Sequence, residues 1–127
     1  GEESTPLDRG LLAYDGSPKA DEALFVATYL AARWRISLSV LTVITEHTKA
    51  ETLDRARRYL IGNNLVNANF ILAEQPITEA VINAVLSQDS NLLIMGGFGY
   101  RPVRHLVLGS TVDGVLAGCH IPTLICR

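Results

Sequence analysis

Residues 92–99 read Leu-Leu-Ile-Met-Gly-Gly-Phe-Gly, four apolar side chains without alternation that run straight into glycines. A short, unalternated apolar run is a strand buried on both faces, the situation of a strand inside a parallel sheet. The sequence on either side fits that frame. Residues 11–14, Leu-Leu-Ala-Tyr, form a second such run and are closed by Asp15-Gly16-Ser17-Pro18. That cluster is turn chemistry, and Ser17 before Pro18 is an N-cap followed by proline at the first helical position. Asp21 and Glu22 follow where the helix dipole favours acids. Ala20, Leu24, Ala27, Ala31 and Trp34 recur at helical spacing, which predicts a helix over 18–34 with Trp34 packed in the core.

The rest of the chain alternates in the same way. Residues 36–44 are rich in β-branched side chains and read as a strand. In 49–61, Leu53, Ala56 and Leu60 share a helical face, with Glu51–Arg55 and Asp54–Arg58 as i,i+4 pairs. Gly62-Asn63-Asn64 stops that helix. Residues 68–74 read as a strand, and Pro76 opens a helix with Ile77, Val81, Ala84 and Val85 on one face. A loop with a short helical turn at 106–108 leads to Ser110-Thr111-Val112-Asp113, a capping-box variant opening a short helix over 110–117 that ends at Gly118. Residues 122–126 are the last strand. The order β-α-β-α-β-α-β-α-β predicts a doubly wound α/β three-layer sandwich around a five-stranded parallel sheet. The most economical strand order is 3-2-1-4-5, with the winding reversing between strands 1 and 4.

Composition narrows the function. The chain has 127 residues, 48% of them hydrophobic, with a net charge of −2, and a mean hydropathy of +0.22. One domain of this size buries roughly two thirds of its unfolded surface. The charge excludes a nucleic-acid binder that works by bulk electrostatics, and the Arg55-Arg57-Arg58 cluster, interleaved with acids, reads as a solvated helix face. No apolar run is long enough for a membrane span. Cys119 and Cys126 suit apolar packing better than a redox pair, and His47 and His120 have no partners at metal-ligand spacing. The chain starts at Gly1, and residues 1–8 read as a tail or linker remnant ahead of a domain over 9–127, consistent with a unit from a longer tandem or membrane-tethered parent.

Ligands in such folds bind outside the carboxyl ends of the strands at the reversal. Asp15 and its turn fall there, as do Gly96-Gly97-Phe98-Gly99 and Gly109-Ser110-Thr111 at a helix start. Glycines admit close approach of backbone N–H groups, and a helix start offers unpaired donors, so the set can cradle phosphate, with Asp15 accepting from ribose hydroxyls. Each feature also has a structural reading: tight turns for the glycines, an N-cap for Ser110, a backbone-bonding turn for Asp15. Arg101, Arg104 and His105 lie in the intervening loop, either near a terminal phosphate or in solvent. The Walker lysine motif is absent, since Lys19 and Lys49 are the sole lysines. Gly97-Phe98-Gly99 lacks the third glycine of the dinucleotide fingerprint and follows the wrong strand for it. The acid cluster of a phosphoacceptor receiver domain is missing too.

Gly96-x-x-Gly99, nine residues, then Gly109-Ser110 matches the G-2x-G-9x-G-S/T pattern of the universal stress protein family, in its ATP-binding branch. Residues 13–17 and 121–127 resemble that family's first strand and turn and its last strand, so the resemblance spans about 9–127. It implies a Rossmann-like fold of the adenine nucleotide α-hydrolase-like kind. It assigns Asp15 to the adenosine end, Val43 to the adenine, and Gly96, Gly99, Gly109, Ser110 and Thr111 to the phosphates and ribose. It implies ATP as ligand, with Mg²⁺ held through water by Asp15 or Asp113 as an option, and a homodimer formed through the C-terminal strand. Two departures stand out: Phe98 where relatives often carry His or Arg, and a short connection over 45–48. The function implied is a cytoplasmic, nucleotide-linked stress-response or regulatory module. Slow ATP hydrolysis or a dimerisation module without nucleotide are the alternatives; no nucleophile or general base with a partner is evident.

Overall fold

β1 (Arg9–Ala13) lies at the centre of the sheet, paired in parallel with β2 (Ser37–Ile44) on one side and β4 (Leu92–Gly96) on the other. β3 (Asn69–Glu74) extends the sheet beyond β2, and β5 (Thr123–Cys126) beyond β4. All four pairings are parallel and the order is β3-β2-β1-β4-β5. The helices are α1 (Pro18–Trp34), α2 (Ala50–Gly62) and α3 (Ile77–Ser87). The computed structural model describes residues 6–97, 114 and 118–127. Gly114 and Gly118 are helical and face Thr78 and Ile82 of α3; the rest of the helix expected over 110–117 lies outside the described residues.

Alternation in the strands sorts the core into two layers. Leu12, Val40, Leu92 and Ile94 point to one face and pack with Ala20, Leu24, Ala27 and Ala31 of α1 and with Leu53, Ala56 and Leu60 of α2. Leu11, Leu41, Val43, Leu93 and Met95 point to the other and meet Ala80, Val81, Ala84 and Val85 of α3. The alanine stripes bring helix backbones close to the branched side chains of the sheet, and dense packing follows. The four consecutive apolar residues at 92–95 serve both layers, Leu92 and Ile94 one and Leu93 and Met95 the other.

Local signals set most boundaries. Ser17 accepts from the Ala20 N–H at 3.1 Å and Pro18 holds the first helical position. Arg35, left-handed at φ 57°, ends α1, and Asn64 at φ 68° follows the end of α2. β1 begins two residues earlier than its apolar run, because Arg9 is tied to Asn91 through its N–H at 3.0 Å. Tyr14 leaves the strand, though its N–H still donates to Leu41 O at 2.8 Å.

Four expectations fail. Trp34 is 64% exposed. α1 runs back against the strand direction, so its last turn reaches the amino-terminal edge of the sheet, where the indole lines an open apolar groove with Leu7, Leu30, Leu92 and Leu124. Arg55 does not serve Glu51: it reaches across to Asp21 of α1. Asp54 pairs with Arg57 at 3.6 Å rather than with Arg58, while Arg57 lies 4.4 Å over the Phe70 ring. An exposed i,i+4 pair is worth a few tenths of a kcal/mol, about 0.3–0.5, so contacts with neighbouring elements override it. Ile77 is half-exposed at the start of α3, where Ala80 takes the buried place.

Candidate functional site

The register sets the carboxyl ends of β2, β1 and β4 side by side. Ala13 is level with Leu41 on β2 and with Met95 on β4. Val43 follows within β2, whereas Asp15 and Gly97 come after the ends of β1 and β4, so the three mark the carboxyl ends of adjacent strands. Gly96 is the last residue of β4. Gly99, Gly109, Ser110 and Thr111, with Phe98, Arg101, Arg104, His105 and Asp113, lie outside the described residues.

Asp15 is exposed, and its Oδ1 accepts from the Ser17 N–H at 2.9 Å. This is an Asx turn that leads directly into the α1 cap. Among the described residues no hydrogen bond engages Oδ2, so one carboxylate oxygen remains for an outside donor. Gly16 holds φ at +79°, a conformation that L side chains rarely adopt, and a Cβ there would sit 3.1 Å from the Thr52 methyl group. Both the backbone and the space demand glycine at this turn.

Beneath the turn is a network that the sequence did not reveal. The Tyr14 ring is buried, and its hydroxyl donates to Asp21 Oδ1 at 2.6 Å. Arg55 Nη2 donates to both Asp21 oxygens at 2.7 Å and to Gly16 O at 3.0 Å. Its guanidinium carbon stands 5.7 Å from the Tyr14 ring centroid. Burial, then the hydrogen bond to Asp21, pushes the Tyr14 phenol up to about 12. The same Asp21 carboxylate raises the Arg55 guanidinium further. Thr42, fully buried, donates its hydroxyl to Tyr14 O at 2.8 Å. β2, α1 and α2 thus all hold the end of β1. A tyrosine ending an apolar strand and an acid in the next helix's first turn were visible signals, but Arg55 comes from another helix.

Gly96 has a packing reason as well as a sequence motif. A Cβ there would fall 2.6 Å from Ala20 N and 2.6 Å from Lys19 C, both backbone atoms of α1. The end of β4 is therefore pressed against the first turn of α1, next to the Asp15 turn. Gly97 N donates to Cys126 O at 2.7 Å and continues the β4–β5 ladder. Val43 is buried in the layer under α3, on the opposite sheet face from Tyr14. The connection after β2 is a closed turn: Thr45 Oγ1 accepts from the N–H groups of His47 and Thr48, each at 3.0 Å.

Charge separates two ends of this crevice. On the α3 side a groove floored by Leu41, Ile71 and Ala73 is rimmed by Glu74 and Glu79, which repel phosphate. The β4 side instead offers the start of α1, with no acid among the residues pressed against Gly96. Among the described residues no group of three or more His, Cys, Asp or Glu could hold a metal ion. Cys119 and Cys126 are free thiols, each raised by burial.

A model of the universal stress protein family matches residues 7–127. The chain belongs to that family. The universal stress protein Slr1230 of Synechocystis sp. is 28% identical over 125 residues, covering 95% of this chain and 43% of its own length. This chain thus spans less than half of that curated relative. A universal stress protein solved in complex with cAMP superposes with a TM-score of 0.81 at 18% identity, covering 97% of this chain and 98% of its own. The universal stress protein from Archaeoglobus fulgidus in complex with dAMP gives 0.70 at 16% identity, with 96% and 98% covered. These likenesses establish the doubly wound α/β fold of the family for this universal stress protein.

Proposed function

We propose that this universal stress protein binds an adenine nucleotide, ATP, across the carboxyl ends of β2, β1 and β4, and works as a homodimeric, nucleotide-linked regulatory module in the cytoplasm. The observation that carries the reading is that Val43 near the end of β2, Asp15 just after β1 and Gly96 at the end of β4 lie on three adjacent strands where the sheet winding reverses. Adenine lies along Val43, the ribose hydroxyls donate to the open oxygen of Asp15, and the phosphates run toward Gly96 and the loop with Gly99, Gly109, Ser110 and Thr111. The acidic rim at Glu74 and Glu79 favours that direction over its reverse. Fold-sharing proteins solved with cAMP and with dAMP support the ligand class. Mg²⁺ enters with the triphosphate as its counter-ion, since the described residues supply no cage of their own. Free thiols at Cys119 and Cys126 suit a reducing compartment.

Pairing through β5 has its own support. β5 is an edge strand, Leu124 on it is 39% exposed, and the groove with Trp34 and Leu7 runs alongside. An apolar edge of this kind is stabilised by a second strand laid against it. The same surface serves a dimerisation module without nucleotide, so the deciding experiment measures both properties. Calorimetric titration with ATP and Mg²⁺ is expected to show saturable binding that is lost in Gly109→Val, and sedimentation is expected to show a dimer that Leu124→Asp dissociates. Absence of heat at millimolar ATP with the dimer intact would leave the dimerisation module. Turnover of bound ATP would add slow hydrolysis.

A further inference from the structure

The nucleotide reading places one residue, Asp15, on the ribose, yet Asp15 sits on an exposed turn with a single self-bond to hold it. The structure shows what restrains that turn from outside. Gly16 O, in the same peptide as the Ser17 N–H that bonds Asp15, accepts from Arg55 Nη2 at 3.0 Å. The same nitrogen is anchored on both oxygens of Asp21, at 2.7 Å, and Asp21 in turn is fixed by the Tyr14 hydroxyl at 2.6 Å. Thr52, one helical turn before Arg55 on α2, occupies the space beside Gly16. The turn is gripped by α2 at its carbonyl and by α1 at its cap, while Tyr14 forms a buried base between them.

We propose that Arg55 is the positioning residue of the Asp15 turn, holding the carboxylate where it accepts ribose hydroxyls and so setting the preference for ribose-bearing nucleotides. The inference rests on the nucleotide-binding reading above. Without the guanidinium, Gly16 O loses its partner and the Asx turn keeps one local bond. The carboxylate then samples orientations that cannot all meet a ribose, and binding must include the cost of ordering it. The contribution lost is that of hydrogen bonds to a charged acceptor, about tenfold in affinity or more. The effect is confined to ligands that use Asp15. A nucleotide with no ribose hydroxyls gains nothing from a well-placed carboxylate and loses nothing when it wanders.

That selectivity is the test, since a merely structural weakening would affect all ligands alike. The wild-type chain, Arg55→Met and Arg55→Lys are titrated calorimetrically with ATP and with 2′,3′-dideoxy-ATP, both with Mg²⁺, with Asp15→Ala as reference. The expected result is that wild type prefers ATP by about tenfold or more. Arg55→Met loses that preference as Asp15→Ala does, binds dideoxy-ATP as wild type does, and melts within a few degrees of it. Arg55→Lys, which keeps one donor, recovers part of the preference. Equal weakening of both ligands in Arg55→Met overturns the proposal, as does an unchanged preference. If the wild type binds neither nucleotide, the functional reading fails, and amide exchange at Ser17 judges the grip alone. Faster exchange in Arg55→Met then upholds the grip, and equal exchange refutes it.

Discussion

Gly96→Ala is the sharpest perturbation the fold offers, because the added atom meets backbone rather than a side chain that can swing away. Its Cβ would sit 2.6 Å from Ala20 N, 2.6 Å from Lys19 C and 2.8 Å from Lys19 O. Carbon atoms prefer separations of about 3.5–4.0 Å, so the first turn of α1 or the end of β4 must retreat by roughly 1 Å. α1 is fixed along its length by buried Ala20, Ala23, Leu24, Ala27 and Ala31, and β4 is paired on both sides, so neither can move cheaply. Overpacking of this kind costs about 1–3 kcal/mol, and a backbone obstacle puts it at the upper end, about 3 kcal/mol. For a domain of this size that lowers the melting temperature by roughly 10 °C. The assay is urea unfolding followed by circular dichroism, with Gly62→Ala as control, since nothing lies within 4 Å of a Cβ there. Gly62→Ala is expected to be neutral or to stabilise by up to about 1 kcal/mol. A Gly96→Ala chain within about 0.5 kcal/mol of wild type, inside the range of an ordinary surface substitution, would refute the seating of α1 on β4.

Other outcomes follow from single interactions. Tyr14 has its phenol raised from 10.0 to about 12. The folded state therefore favours the protonated phenol, its stabilisation is complete below pH 10, and it fades as pH rises toward 12. A shift of that size corresponds to about 2–3 kcal/mol, so the stability difference between wild type and Tyr14→Phe should shrink by that amount from pH 9 to pH 12; a constant difference would contradict the buried Tyr14–Asp21 bond. Ser17→Ala removes the cap on Ala20 N and is expected to cost about 1 kcal/mol in urea unfolding. Trp34→Ala should cost the monomer less than about 1 kcal/mol, whereas Leu24→Ala, buried in the same helix, should cost about 2–5 kcal/mol. Equal losses for the two would place Trp34 back in the core.

Periodicity and caps made the fold readable. The strand at 92–96 declared its two-sided burial through four consecutive apolar residues, and Ser17-Pro18 marked the start of α1 to the residue. Alternating elements then left few windings, and the observed order is the one with the simplest crossovers. Trp34 misled because helical spacing identifies a face but not where the sheet beneath it ends. The Asp15 turn was legible, since an Asx turn is local chemistry. The grip on it was not: Arg55 is remote from Gly16 in sequence, and the nearby acids Glu51 and Asp54 suggested a solvated helix face. Gly96 shows the opposite limit, where a motif glycine has a close backbone contact that spacing alone does not express.

The most direct measurement is a ¹⁵N-labelled amide spectrum of the chain titrated with ATP and Mg²⁺. Binding across the strand ends should move the amides of Val43, Asp15, Gly16, Ser17, Gly96 and Gly97 together along one saturation curve, leaving Trp34 and Leu124 still. An unchanged spectrum at millimolar ATP, or shifts gathered instead around Glu74 and Glu79, would contradict nucleotide binding at the reversal of the sheet.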